Sequence, residues 1–399
     1  MKYIVIIGDG MADFPIEELG GKTPLMAAHK PFMNMMAQEG FCGKVNTIPE
    51  GFPPGSDVAA MSIFGYDPAK YYTGRAPIEA VSMGVELGDA DVAFRCNLVN
   101  LDISPERTIM GDYSGGHITT EEAKILIGRL NAAMGNDAFR FFAGVSYRHI
   151  MVWKGGLWQM SSTPPHDITG KEVPEYLPGG EGADTVLSLM EKSQKILGED
   201  PLNKERKKAG KLPANSIWLW GQGKKSKLPF FADKFHLKGA TVAAVDLVKG
   251  ISRLAGFDVP HIKGATGYLD TDYRAKANAA IALLEDHDIV YIHIEAPDEA
   301  SHNGDMKEKI KAIEHIDADV VGVILEKVEK DTRLLMVTDH ATPISMKTHY
   351  GVPVPFIIYD KGKKQKGCET GYDERTGGDK VISGEAMITL FTGGKGQNL

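Results

Sequence analysis

The chain has 399 residues, of which 43 % are hydrophobic and 25 % charged, a globular profile long enough to suggest two domains. Its net charge of −8 offers no global field for nucleic acid or for an anionic membrane, so neither is expected as a partner. Cys42, Cys96 and Cys368 are odd in number and far apart, which argues against a disulfide framework or a zinc knuckle and for buried free thiols in a reducing compartment.

The chain opens with MKYIVIIGDG, one Lys followed by a short apolar run. That run is too short for a signal-peptide core and reads as a first strand, Tyr3 to Ile7, entering Gly8-Asp9-Gly10. No apolar segment approaches the roughly 20 residues of a membrane span, and a cytoplasmic location is expected. Ser56 follows in PPGSDVAAM, a Pro/Gly-rich turn leading into a helical pattern.

From about Asp91 to His236 the texture changes. Short strand-like segments (Val92–Leu98, Arg140–Phe142, Tyr147–Trp153) alternate with Gly- and Pro-rich loops such as SSTPPHDITGK. One helix is clear: Thr119 and Glu122 form a capping box ahead of Ala123, Leu126, Ile127, Leu130 and Met134 at helical spacing. The basic tracts at 203–211 and 223–227 read as solvated loops.

Beyond residue 238 the pattern of the first strand returns. Thr241 to Val245 runs into Asp246, Ile289 to Ile294 into Glu295, Leu334 to Thr338 into Asp339-His340, and Pro355 to Tyr359 into Asp360. Met306, Ile310, Ile313, Val320, Val321 and Ile324 mark a long amphipathic helix. Apolar strands joined by helices predict an α/β fold, a mostly parallel sheet covered by helices on both faces. A smaller α/β domain, 89–237, is inserted into a discontinuous core of 1–88 and 238–399. Ligands of such sheets bind beyond the carboxyl ends of the strands, where these acidic residues fall.

Seven residues stand out there: Asp9, Ser56, Asp298, His302, Asp339, His340 and His349. Asp298 and His302 are four apart, so on one helix they face the same way and form a ligand pair for a divalent cation. Asp339 and His340 are adjacent, and a strand-to-loop junction would free both to turn inward. Mixed oxygen and nitrogen ligands suit manganese or zinc better than calcium or magnesium. Taken singly, each has an ordinary explanation: Asp298 or Ser56 as a helix cap, His349 as a surface residue. Their shared location at one sheet mouth makes the set far more specific.

The order Asp, Ser, Asp-x-x-x-His, Asp-His, His resembles the two-metal site of the alkaline phosphatase superfamily. GDGMAD, PGSDVA, SIFGYDP, YTGRAPIEA, RCNLVN, GATGYLDT, EAPDEASH and TDHATP are similar to the archaeal-type branch of the cofactor-independent phosphoglycerate mutases, and they span nearly the whole chain. The resemblance implies an alkaline-phosphatase-like fold and an enzyme interconverting 3- and 2-phosphoglycerate through a phosphoserine, without bisphosphoglycerate. By that resemblance Asp9, Ser56, Asp339 and His340 hold one metal, and Asp298, His302 and His349 the other. The metals are manganese, with zinc as the alternative. Ser56 is the nucleophile, Lys249 lies near the phosphoryl group, and the inserted domain is a substrate-binding lid.

Arg75 suits a phosphate or carboxylate clamp because its fork is bidentate. Arg95, Asn97 and Arg148 are further candidate substrate contacts. The resemblance departs from that branch at Gly111–His117, where an arginine-rich segment is expected, and at TPPHDITG. There His117, His166 and Asp167 resemble a subgroup proposed as homoserine kinases, the alternative reading. A phosphatase or phosphodiesterase, or a non-catalytic metal scaffold, is a weaker one. The partner expected on the leading reading is a small phosphorylated metabolite.

Overall fold

The computed structural model describes residues 1–363 and 365–393. The chain divides into two compact units, one built from Met1–Tyr72 and the chain from Lys227 onward, the other from Thr73–Ser226. Both crossings come earlier than the expected 88 and 238. The helix Arg75–Ser82 belongs to the second unit because Ala76 and Ala80 pack there against Ala93, Ile150 and Val152. Phe231, in turn, packs on Phe257 and Tyr291 in the first.

The first unit is built on a seven-stranded sheet. Its strand order is Gly239–Val242, Ile289–Ile294, Lys2–Gly8, Thr332–Thr338, Val354–Asp360, Phe41–Asn46 and Val381–Ser383. Every pairing is parallel except the two made by Val354–Asp360, which runs against the rest. That reversal corrects one expectation: Asp360 does not join the acidic residues at the carboxyl ends. It sits opposite Arg333, near the amino end of Thr332–Thr338, and pairs with it.

Lys2–Gly8 and Ile289–Ile294 are buried along almost their whole lengths, as central strands covered on both faces must be. On one face Ile4, Ile6, Val290, Ile292, Leu334 and Met336 meet the helices Pro31–Glu39, Tyr273–Leu283 and the 306–327 segment. On the other, Tyr3 packs on Phe391 of the helix Gly384–Phe391, and Tyr291 stacks on Phe64 at the end of Ser56–Ile63. The predicted helix after Met306 forms, but Ile316–Gly322 is wound as a π-helix. Within it Asp317 accepts the Phe32 and Met33 amides at the start of Pro31–Glu39.

The second unit has an antiparallel sheet centred on Val92–Ile103, which pairs with Thr108–Asp112, Arg148–Trp153 and Ser216–Lys224, with Phe139–Phe142 beyond Arg148–Trp153. The helix Thr120–Met134 carries the predicted capping box and, with Ala183–Gly198, packs on Phe94, Cys96 and Leu98. The basic tract at 203–211 is not a loop throughout. Pro201–Lys208 is a helix, and Arg206 is buried, bonded to Glu122 and to the Gly115 and Leu212 carbonyls. Of the three thiols only Cys96 is buried; Cys42 and Cys368 are half-buried. Cys42 is pushed up to about 12 by burial and by the neighbouring Cys368, a proximity the sequence spacing conceals.

Candidate active site

The carboxyl ends of the parallel strands gather six of the seven singled-out residues into two linked groups, and Ser56 beside them. The strand Lys2–Gly8 delivers Asp9, buried, and Thr332–Thr338 delivers Asp339 and His340, also buried. The strand ends at Thr338, so Asp339 and His340 escape its alternation and turn to the same place. His340 Nε2 lies 3.5 Å from Asp9 Oδ1 and 3.2 Å from Asp339 Oδ2. Ser56 is the first residue of its helix, with Gly55 in the capping position ahead of it, and its Oγ lies 3.2 Å from His340 Nε2.

The second group comes from the helix Ala296–Asn303 and the loop after Asp339. Asp298 Oδ2 is 3.1 Å from His302 Nε2 and 3.6 Å from His349 Nε2, and the two Nε2 atoms are 3.1 Å apart. The rings of His340 and His349 are 4.2 Å apart, which brings the groups together. Asp9, Asp339 and His340 form one constellation able to hold a cation, and Asp298, His340 and His349 another.

The electrostatics fit metal ions. Burial first, then repulsion from Asp339 and Asp298, raises the Asp9 carboxyl well above its ordinary range. Among the described residues neither Asp9 oxygen, nor Asp339 Oδ2, has a well-aligned hydrogen-bond donor, although all are buried. A buried carboxylate left in that state is costly unless a cation meets it. Asp298 is the opposite case: burial opposes its ionisation, but hydrogen bonds from His302 and His349 outweigh it and hold the carboxyl well below its usual range. His302 is correspondingly pushed up to about 9, chiefly by its bond to Asp298.

Around these groups stand residues that sequence reading did not single out. His293 is buried mid-strand with Nε2 3.1 Å from Asp9 Oδ2, and burial pushes it down to about 4. Thr342 donates to Asp298 Oδ1 at 2.6 Å and meets His340 Nδ1 at 3.1 Å, joining the two groups. Lys309, fully buried, binds Asp13 at 2.7 Å and also the Ala12 and Thr342 carbonyls, fastening the Asp9 loop to the Asp339 loop. A histidine inside an otherwise apolar strand was the available signal for His293. Tyr72 donates to Asp57 Oδ2 at 2.5 Å, fixing the residue next to Ser56. Lys249 lies in the same unit on the helix Asp246–Leu254, its Nζ 3.9 Å from Asp246.

The second unit carries its own cationic cluster. Arg95 is buried and lies 4.3 Å above the Trp220 ring, whose Nε1 donates to Asn97 Oδ1 at 3.0 Å. Asn97 Nδ2 donates to the Tyr113 carbonyl, so its amide serves as a brace for this floor. His166 lies edge-on to both Trp220 and Tyr113, and exposed Arg148 covers the Tyr147 ring. Arg75 pairs with Glu79. His117 is exposed, with a left-handed φ of 49°, and Asp167 is exposed beside His166.

Comparison with known proteins adds an independent line. The family described as "2,3-bisphosphoglycerate-independent phosphoglycerate mutase" matches residues 37–203. The chain is similar to a probable 2,3-bisphosphoglycerate-independent phosphoglycerate mutase of Geobacter sulfurreducens, 53 % identical over 98 % of this chain and 99 % of the relative. It is also similar to the 2,3-bisphosphoglycerate-independent phosphoglycerate mutase of Methanosarcina barkeri, 51 % identical over 94 % of each. Among solved structures, a Pyrococcus horikoshii protein matches with TM-score 0.81 and 31 % identity over 98 % of this chain and 96 % of that one. The cofactor-independent phosphoglycerate mutase of Thermoplasma acidophilum matches with TM-score 0.66 and 28 % identity over 98 % and 99 %.

Proposed function

Because the chain belongs to the 2,3-bisphosphoglycerate-independent phosphoglycerate mutase family, we propose that it interconverts 3- and 2-phosphoglycerate by transient phosphorylation of Ser56. The observation that carries this reading is the Ser56 hydroxyl, 3.2 Å from His340 beside a cluster of buried carboxylates and histidines.

Asp9, Ser56, Asp339 and His340 would hold one divalent ion and Asp298, His302 and His349 the other, manganese foremost and zinc as the alternative. Ions bound there would offset the charge of the phosphoryl oxygens and would make the serine hydroxyl easier to deprotonate. Ser56 Oγ attacks phosphorus as the bond to the substrate's 3-oxygen breaks on the opposite side, and its position at the helix N-terminus favours the added negative charge. The freed glycerate turns, and its 2-hydroxyl takes the group back from Ser56. Asp9 and Asp339 are kept in place by loops that Lys309 and Thr342 brace. Lys249 and the arginines Arg75, Arg95 and Arg148 supply cationic contacts to phosphate and carboxylate oxygens. The second unit serves as the substrate-binding lid that keeps water from the phosphoserine.

The test is to mix manganese-loaded protein with 3-phosphoglycerate, without bisphosphoglycerate, and to follow phosphorus resonances. Appearance of 2-phosphoglycerate without free phosphate is expected. Release of inorganic phosphate alone would mean a phosphatase, and an unchanged spectrum would rule the mutase out.

A further inference from the structure

One carboxylate in the second unit touches two of the proposed substrate arginines at once. Glu79 Oε1 lies 2.8 Å from Arg75 Nε, and Glu79 Oε2 lies 2.8 Å from Arg95 Nε. Each guanidinium is thus met on its inner nitrogen, the one nearest the stem. The helix Arg75–Ser82 sets the first contact through i,i+4 spacing, and the strand Val92–Ile103 brings the second.

Arg95 is the telling partner. It is 6 % exposed and one face is covered by Trp220, yet its terminal amino groups make no hydrogen bond among the described residues. A guanidinium carries five donors in a fixed fork, and the terminal amino groups of Arg95 are not among the fully buried unpaired atoms, so its outer edge stays open to solvent. Burial pulls Arg95 down to about 10, so it still carries its charge at neutral pH. Burial also works against ionisation of Glu79, but Arg95 and Arg75 outweigh it and hold the carboxyl below its ordinary value. One carboxylate among Arg75, Arg95 and Arg148 leaves a positive balance, and the unused fork of Arg95 suits a carboxylate or phosphate oxygen.

We propose that Glu79 is a positioning residue. It holds Arg75 and Arg95 by their inner nitrogens as a single anion clamp, leaving the outer edge of Arg95 for an anionic group of the substrate. This rests on the mutase reading for the identity of that substrate, a phosphoglycerate, and assigns to Glu79 a role in binding it rather than in the transfer.

Charge and orientation predict opposite signs, which makes the test sharp. Glu79→Gln removes a negative charge near an anion, so a purely coulombic role would lower KM. As a positioning residue its loss should raise KM for 3-phosphoglycerate by roughly tenfold with little change in kcat. Glu79→Asp, which keeps the carboxylate, should recover part of that loss and serves as the working variant if Glu79→Gln fails to fold. In an Arg95→Ala background, either change at Glu79 should add much less than it does alone. An unchanged or lowered KM, or a full additional effect without Arg95, overturns the proposal. Calorimetric binding of 3-phosphoglycerate is measured beside turnover on every variant. A wild-type protein that binds this ligand without isomerising it defeats the mutase reading alone, whereas variants that bind it like the wild type defeat the clamp alone.

Discussion

Gly10 has a φ of +64°, and a Cβ built on it would lie 2.6 Å from Asp298 Oδ1 and 2.8 Å from the Asp298 backbone. Both facts require glycine where the Asp9 loop passes the helix that carries Asp298. Gly10→Ala therefore adds backbone strain of about 1 kcal/mol or more and drives apart the two segments that carry candidate ligands. Its melting temperature should fall, and the rise on adding manganese should be smaller than for the wild type. An equal rise would show that the contact does not shape the cation site. Asp9, Asp298, Asp339 and the three histidines were legible because carboxylates and imidazoles at strand ends have few other uses in one cluster. His293, Thr342 and Glu79 were not, because each acts through a partner distant in sequence: His293 through Asp9, Thr342 through Asp298, and Glu79 through Arg95. Ser56 left two readings open, a helix cap or a reactive hydroxyl. The cap position is taken by Gly55, one residue earlier, which tells against the first.

Among elements, strands were easier to read than their directions. The apolar run Pro355–Tyr359 shows a strand, but nothing in its composition tells that it runs antiparallel to Thr332–Thr338. Direction depends on the loop that precedes it, and it decides that Asp360 meets Arg333 instead of the site. That pair has a pH signature. Its bond to Arg333, ahead of burial, holds the Asp360 carboxyl below its ordinary value. A depressed carboxyl contributes stability that is fully present above the unfolded value of about 4 and is lost as pH falls through the folded one. Asp360→Asn should therefore melt below the wild type at neutral pH, and the gap should close on acidification below about 4. A gap independent of pH would mean that packing, not the ion pair, accounts for the loss. The helix Pro201–Lys208 teaches the same limit from the other side. A run of lysines looks solvated, yet Arg206 within it is buried because Glu122 and two carbonyls receive it.

For the molecule as a whole, the composition shift suggested an inserted unit, and the compact unit Thr73–Ser226 starts before that shift because the helix Arg75–Ser82 is amphipathic and fits either neighbour by pattern alone. Only its packing on Ala93 and Ile150 assigns it. That assignment has a functional consequence: Arg75, Glu79, Arg95 and Arg148 all belong to one unit, while Ser56 and the candidate metal ligands belong to the other. Among the described residues no helix is long and apolar enough to cross a membrane. Labour would therefore be divided between a unit that carries the phosphoryl group and a unit that recognises the glycerate, with the transfer turning on Ser56. The most direct measurement is acid quenching of the manganese-loaded protein during turnover of 3-phosphoglycerate, followed by intact-mass and peptide analysis. The account predicts a fraction of the chains heavier by one phosphoryl group, located on Ser56, and no such species in Ser56→Ala. Turnover without any phosphorylated chain, or a Ser56→Ala protein that remains active, would contradict it.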